Sequence, residues 1–201
     1  MNLIAHRINT IHQLATLPDS CAIEFDIRDS NGCIIVTHDP FTTGVDFEIF
    51  APHLRTRFCI VNIKSEGIEW KVLDILNQYN VQDFFLLDCS VPMMVKLLQK
   101  GEKRFAVRLS EYESMNSVLP WSGYAQWVWV DCFNTYILTE FIEKQLHNSG
   151  FKICIVSPEL QGRSQDIDIY ANKLVEENII IDAICTKYYN FDKWNSHLQG
   201  L

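Results

Sequence analysis

No apolar run in these 201 residues approaches the roughly 20 needed to cross a bilayer, so no membrane span is expected. The segment Met1-Asn-Leu-Ile-Ala-His6 lacks both the basic stretch and the long apolar stretch of a secretory signal. No Lys/Arg-rich run occurs, and the net charge is −8. A nucleic-acid partner is therefore not expected, because a phosphate backbone needs a basic stripe to bind. The seven cysteines are scattered and include no CxxC pair. They are expected to be buried, reduced thiols in a cytoplasmic protein. No Gly-rich phosphate loop follows the first strand-like run, which argues against a dinucleotide site. Internal repeats, low-complexity stretches and linkers are also missing.

What remains is a globular composition, 48% apolar and 21% charged, with length enough for a single domain over residues 1–201. Eight short apolar runs read as strands: Leu3–His6, Cys21–Arg28, Phe58–Lys64, Phe84–Cys89, Phe105–Leu109, Trp127–Cys132, Lys152–Val156 and Ala183–Thr186. They are mostly continuous in hydrophobicity, as in a parallel sheet covered on both faces. Helical periodicity fills the intervals. Ile68, Val72, Ile75, Leu76 and Tyr79 stripe Glu66–Asn80, while Ser90, Pro92 and Gly101 mark the start and stop of another helix. Ile137, Phe141, Ile142 and Leu146 stripe a third, and Tyr170, Leu174 and Val175 a fourth over Ser164–Asn178. Eight strands alternating with helices predict a compact α/β fold, the closed (β/α)8 TIM barrel; an open doubly wound sheet is the alternative. One interval differs. Asp29-Ser-Asn-Gly32 followed by the apolar run Cys33–Thr37 predicts a β-hairpin after the second strand.

Polar clusters end the early apolar runs: His6-Arg7, Glu24-Phe-Asp26, His38-Asp39 and Asn62-Ile-Lys64. In a barrel these positions share one rim. Glu24 and Asp26 lie two apart on a strand and so share a face. Two carboxylates inside a buried strand cost several kcal/mol unless they are paired or neutralised. A shared hard cation, Mg2+ or Ca2+ rather than Zn2+, answers that cost.

The series His-Arg, Glu-x-Asp, a hairpin ending in His-Asp, then x-x-Lys resembles the glycerophosphodiester phosphodiesterases. More broadly it resembles the barrel phosphodiesterases that include phosphatidylinositol-specific phospholipases C and sphingomyelinase D. The matching stretches, Ala5-His-Arg, Ile23-Glu-Phe-Asp-Ile-Arg, Thr37-His-Asp and Val61-Asn-Ile-Lys, occupy the first third of the chain. The resemblance implies a phosphoric diester hydrolase of lipid metabolism acting on a small phosphodiester. It implies His6 and His38 as general acid and base, Glu24 and Asp26 as ligands of one divalent cation, and Arg7 and Lys64 as phosphate clamps. The family's third metal carboxylate falls at Asn62, whose amide oxygen can ligate a cation without adding charge. Asp88 and Asp131 are the carboxylates placed to compensate.

The glycine usual after His-Arg is Ile8, and the following Glu-Asn-Thr is reduced to Asn9-Thr10. The short interval from His38 to Lys64 leaves no room for the segment that helps enclose glycerol in typical members. Glycerol diesters are thus not favoured as the specific substrate. Asp88, Arg108, Asp131, Glu159 and Lys187 end later strands and are candidates for lining the site; Arg108 and Lys187 are the candidate further substrate contacts. His12, His53, His147 and His197 read as ordinary surface or packing residues, and the acidic stretch Glu140–Glu143 as a solvated face. Two other functions are open: a degenerate barrel that binds an anion without turnover, and a lyase or aldolase using Lys64 as a Schiff base.

Overall fold

Strand-forming runs and capped helices alternate as the sequence predicts, in a computed structural model that describes residues 1–198. The fold is a compact α/β barrel type of parallel strands and covering helices. Its sheet is not closed by a continuous hydrogen-bonded ladder among the described residues. The chain divides into two compact units, Ala5–Phe105 and Met1–Ile4 together with the chain from Ala106 onward.

The first unit follows on from β1 (Asn2–Ala5) and runs through α1 (Ile11–Ala15), β2 (Ala22–Ser30), β3 (Cys33–Val36), β4 (Val45–Asp46), α2 (Phe47–Phe50), β5 (Cys59–Ile63), α3 (Glu69–Gln78), β6 (Phe84–Leu87) and α4 (Val91–Gln99). β2 pairs in parallel with β5, and β5 with β6. β2 continues past β5 into the predicted hairpin with β3, antiparallel from Ile27–Val36 to Ser30–Cys33. The turn residues Asn31 and Gly32 both have positive φ, 50° and 81°, the backbone that a two-residue hairpin turn requires. The short strand β4, which the sequence did not reveal, pairs back onto β3.

β2 is buried on both faces. Ile23, Phe25 and Ile27 form its apolar set, and Phe25 meets the rings of Phe47 and Phe50 at 5.8 and 5.2 Å. The other set is Glu24 and Asp26, 0% and 1% exposed. α3 starts three residues later than predicted. Gly67 takes φ +94°, outside the helical region, and donates its N–H to Glu69 Oε2 at 2.8 Å. α4 begins as read, with Ser90 Oγ accepting the Met93 N–H, and stops before Gly101 at φ +82°.

The second unit holds β7 (Ala106–Ser110), α5 (Met115–Val118), β8 (Trp127–Asp131), α6 (Glu140–Asn148), β9 (Lys152–Val156), α7 (Ile167–Glu176), β10 (Ala183–Thr186) and α8 (Phe191–Leu198). β7, β8, β9 and β10 pair in parallel in that order. Every residue of β8 is buried, including Trp127 and Trp129. Trp194 of α8 is fully buried and donates Nε1–H to Ser157 Oγ at 2.9 Å. The solvated reading of Glu140–Glu143 fails at Glu143, which is buried and hydrogen-bonded to His147 one turn on. No helix among the described residues is long and apolar enough to cross a membrane.

Candidate active site

In the first unit, His6, Arg7, His38 and Lys64 stand just past β1, β3 and β5, while Glu24 and Asp26 lie inside β2 and Asn62 inside β5. Arg7 follows β1 with φ +60°, and this left-handed turn lets its main-chain N–H donate to Glu24 Oε2 at 2.7 Å. The same carboxylate oxygen lies 3.7 Å from His6 Nε2. Glu24 Oε1 accepts a hydrogen bond from Asn62 Nδ2 at 2.9 Å. Asp26 is the register partner of Asn62 on the neighbouring strand. Its Oδ2 accepts from Asn9 Nδ2 at 2.8 Å and lies 3.7 Å from Arg7 Nε, while its Oδ1 lies 3.7 Å from Lys64 Nζ.

Lys64 stands one residue past β5, with its Nζ 3.0 Å from Asp88 Oδ2. Asp88 ends β6 at φ +61°. His38, just past β3, holds Asp39 Oδ1 through Nδ1 at 2.7 Å. That bond and the positive charges of His38, Arg7 and Arg28 keep the Asp39 carboxyl below its ordinary range. A carboxylate at Nδ1 fixes the ring and leaves Nε2 as the reactive nitrogen.

The electrostatics turn on Glu24. Burial first, and the charge of Asp26 second, push its pKa up to about 7; the bonds from Asn62 and the Arg7 N–H and the charge of Lys64 oppose the rise. Two acceptors, Asp26 Oδ1 and Asn62 Oδ1, are buried and take no hydrogen bond. Among the described residues no three His, Cys, Asp or Glu side chains form a ready cation cage. Counting Asn62, the donors are two carboxylates and one amide oxygen. Two buried acceptors left without donors, on and beside a buried carboxylate pair, fit a hard cation with oxygen ligands.

The sequence shows Asn9, Thr10, Asp39 and Asp88 but not their supporting roles. Asn9, seen as the remnant of a motif, grips Asp26 twice: its Oδ1 accepts the Asp26 main-chain N–H at 2.9 Å while its Nδ2 serves the carboxylate. Thr10 caps α1 and so fixes Asn9 from the other side. Asp39 was visible as part of His-Asp, but its role as the holder of His38 was not. Asp88 was read as site lining, whereas it pairs with Lys64. Only the side-chain geometry separates these roles.

Arg108 and Lys187 belong to the second unit. Arg108 bonds Asp131 through Nη1 and places Nε 3.7 Å from Glu113. Asp131 also accepts from Gln161 Nε2 at 2.7 Å. The Lys187 main-chain N–H donates to Glu159 Oε1 at 3.0 Å, which also accepts from the Thr186 hydroxyl at 2.5 Å. Asp131 closes β8 and Lys187 follows β10 directly, but Arg108 sits in the middle of β7 and Glu159 lies past β9 in a short helical turn, so these two do not end their strands. Of the two carboxylates placed to compensate for Asn62, Asp131 is thus engaged by Arg108 and Gln161, and Asp88 by Lys64.

No family model and no curated protein matches the sequence. Solved structures do match. A glycerophosphodiester phosphodiesterase of Agrobacterium tumefaciens aligns with TM-score 0.66 at 16% identity, over 92% of this chain and 96% of its own. A glycerophosphoryl diester phosphodiesterase of Parabacteroides distasonis gives 0.69 at 12% identity, over 98% and 86%. A second Agrobacterium tumefaciens protein, assigned as a glycerophosphoryl diester phosphodiesterase, gives 0.70 at 14% identity, over 99% of both chains. Across nearly its whole length, this chain has the fold of these phosphodiesterases.

Proposed function

We propose that this protein is a metal-assisted phosphoric diester hydrolase acting on a small phosphodiester. The observation that carries the reading is the meeting of His6, Arg7, Lys64 and the Glu24–Asp26 pair within ion-pair distances. The fold shared with phosphodiesterases of known structure supports it.

Glu24, Asp26 and Asn62 would hold one Mg2+ or Ca2+. Bound there, such an ion supplies Lewis-acid stabilisation of charge on a phosphoryl oxygen. Arg7 and Lys64 add positive charge for the non-bridging oxygens, placed in advance where charge develops in the transition state. His38, held by Asp39, and His6, beside Glu24, form the acid–base pair. One imidazole takes the proton of the attacking water or substrate hydroxyl as the new P–O bond forms. The other protonates the departing alkoxide as the old P–O bond breaks. With water as nucleophile the products are a phosphomonoester and an alcohol. Asn9, Asp39 and Asp88 keep the reacting groups in place and touch no substrate in this scheme. We place the protein in the cytoplasm, a reading supported by its seven free cysteines, five of them buried.

The test is hydrolysis of bis(p-nitrophenyl) phosphate and of glycerol-free and glycerol-bearing diesters, with Mg2+, with Ca2+ and with chelator. Turnover that depends on a divalent cation supports the assignment; its absence from every arm overturns it. A second reading, an anion-binding barrel without turnover, is favoured by one observation: the Asn62 amide bonded to Glu24 in place of a third acid. Calorimetry separates the two. No binding of either cation at millimolar concentration favours the second.

A further inference from the structure

Arg28 follows Glu24 and Asp26 at the same two-residue interval on β2 and so shares their face. It is not engaged with either carboxylate. Its Nη2 donates instead to the main-chain carbonyl of His38 at 3.0 Å. Its charge also bears on Asp39, the residue that holds the His38 ring. His38 is therefore gripped at two points, its carbonyl by Arg28 and its Nδ1 by Asp39. The turn beyond is braced by Thr42 Oγ1, which donates to the Asp39 carbonyl at 2.8 Å and meets Thr37 Oγ1 at 2.9 Å. On the strand side, the Thr37 N–H donates to the Asp26 carbonyl at 3.0 Å.

The bond to His38 comes at a cost. Arg28 Nε is buried without an acceptor, and an unsatisfied N–H in such a place is destabilising. A side chain of similar length without the guanidinium would pack there with no such penalty. The arrangement makes sense if what Arg28 provides is aim rather than stability.

We propose that Arg28 is a positioning residue for His38: by clamping the His38 carbonyl from the carboxylate-bearing strand, it sets the distance between the imidazole and the phosphoryl centre. The proposal rests on the reading of His38 as an acid–base group. A planar fork anchored on the strand that carries Glu24 and Asp26 transmits the geometry of the carboxylate pair to the hairpin. Small misplacements of an acid–base group are costly, about 100-fold in rate for about 1 Å.

The test uses Arg28→Met and Arg28→Lys in the full chain with 15N-labelled histidine. Three readouts are taken: turnover of bis(p-nitrophenyl) phosphate, thermal unfolding, and the His38 ring signals assigned against a His38→Gln spectrum. The Met variant is expected to keep or raise its Tm. Its kcat should fall about 100-fold while KM stays near that of the wild type, and its His38 signals should shift toward a mixture of tautomers. The Lys variant keeps the charge and one donor, and should recover part of both kcat and ring signal.

Unchanged His38 signals in the Met variant overturn the proposal, whatever happens to Tm. So does a loss confined to KM, which would make Arg28 a substrate contact. A wild-type protein that cleaves no diester overturns the phosphodiesterase reading, yet the ring signals still decide the clamp.

Discussion

Asn62 and Glu24 face each other across two parallel strands, with Asn62 Nδ2 donating to Glu24 Oε1 at 2.9 Å. The amide satisfies one carboxylate oxygen without contributing charge. It leaves its own Oδ1 buried and without a hydrogen-bond donor. The pocket therefore holds two acids and an incomplete set of donors, a state that a cation would complete.

Replacing Asn62 by Asp adds the third charge and removes the donor to Glu24. With chelator present, the variant should be less stable by about 1–3 kcal/mol, because a buried hydrogen bond becomes a like-charge contact. With Mg2+ or Ca2+ the order should reverse, with affinity about tenfold tighter as ligand charge rises. Calorimetry and thermal unfolding, each with and without cation, check both signs. Weaker cation binding by the Asp variant would count against the assigned donor set.

Glu24 makes stability depend on pH in the cation-free protein. Its folded pKa of about 7 lies above the ordinary 4.5. The folded state then holds the proton more tightly than the unfolded state, so stability falls as pH rises from near 4.5 through about 7. Glu24→Gln should flatten that slope, stabilise the cation-free protein above neutrality, and abolish cation binding. Unfolding curves from pH 5 to 8 in chelator measure it.

His6→Ala and His38→Ala should each lower diester turnover by at least about 100-fold, the usual contribution of general acid–base catalysis. Circular dichroism and Tm should show both variants folded. Turnover near wild type in both would dismiss the catalytic assignment.

His147 carries a separate pH dependence in the second unit. Burial lowers its pKa, but hydrogen bonds with Asp182 and Glu143 outweigh this and raise it overall. Its stabilising contribution is complete below the ordinary histidine pKa, 6.5, and is lost as pH climbs through the raised value. His147→Gln should thus lose most stability at mildly acidic pH and least at alkaline pH. A uniform loss across pH would show that the charge is not responsible.

Gly44 lies where the return strand passes the end of β3. A Cβ there would fall 2.5 Å from the Val36 carbonyl oxygen. Gly44→Ala should cost about 1–3 kcal/mol by overpacking, and should lower turnover by shifting the turn that carries His38. Urea unfolding together with kinetics would show both effects.

Much of the first unit was legible in the sequence because its signals are local. The hairpin after β2 could be read from Asn31-Gly32, since few residues accept positive φ at both turn positions. The α4 boundaries could be read from Ser90, Pro92 and Gly101. β4 could not, because two residues carry no periodicity and pair only when Gly44 allows a close approach. Glu143 was misread as solvated because helical spacing shows which residues share a side but not what covers it; it is buried and bonded to His147.

At the candidate site, the order of polar clusters pointed to His6, Glu24, Asp26, His38 and Lys64, and the resemblance to the barrel phosphodiesterases implied their roles; Glu24 and Asp26 stood out by themselves, since a buried strand tolerates two carboxylates only for strong reasons. The alternation of β2 put both carboxylates on one face, a consequence of strand geometry that needs no tertiary information. What the tertiary structure decided is who holds whom. Asn9 grips Asp26 from 17 residues away, Asp88 pairs with Lys64 from 24 away, and Asn62 bonds Glu24 from 38 away. Charge and hydrogen-bond partners separated by such stretches of chain meet only through strand register and loop closure. Those long-range contacts set the charge balance around the carboxylate pair, and with burial they set how readily Glu24 holds a proton.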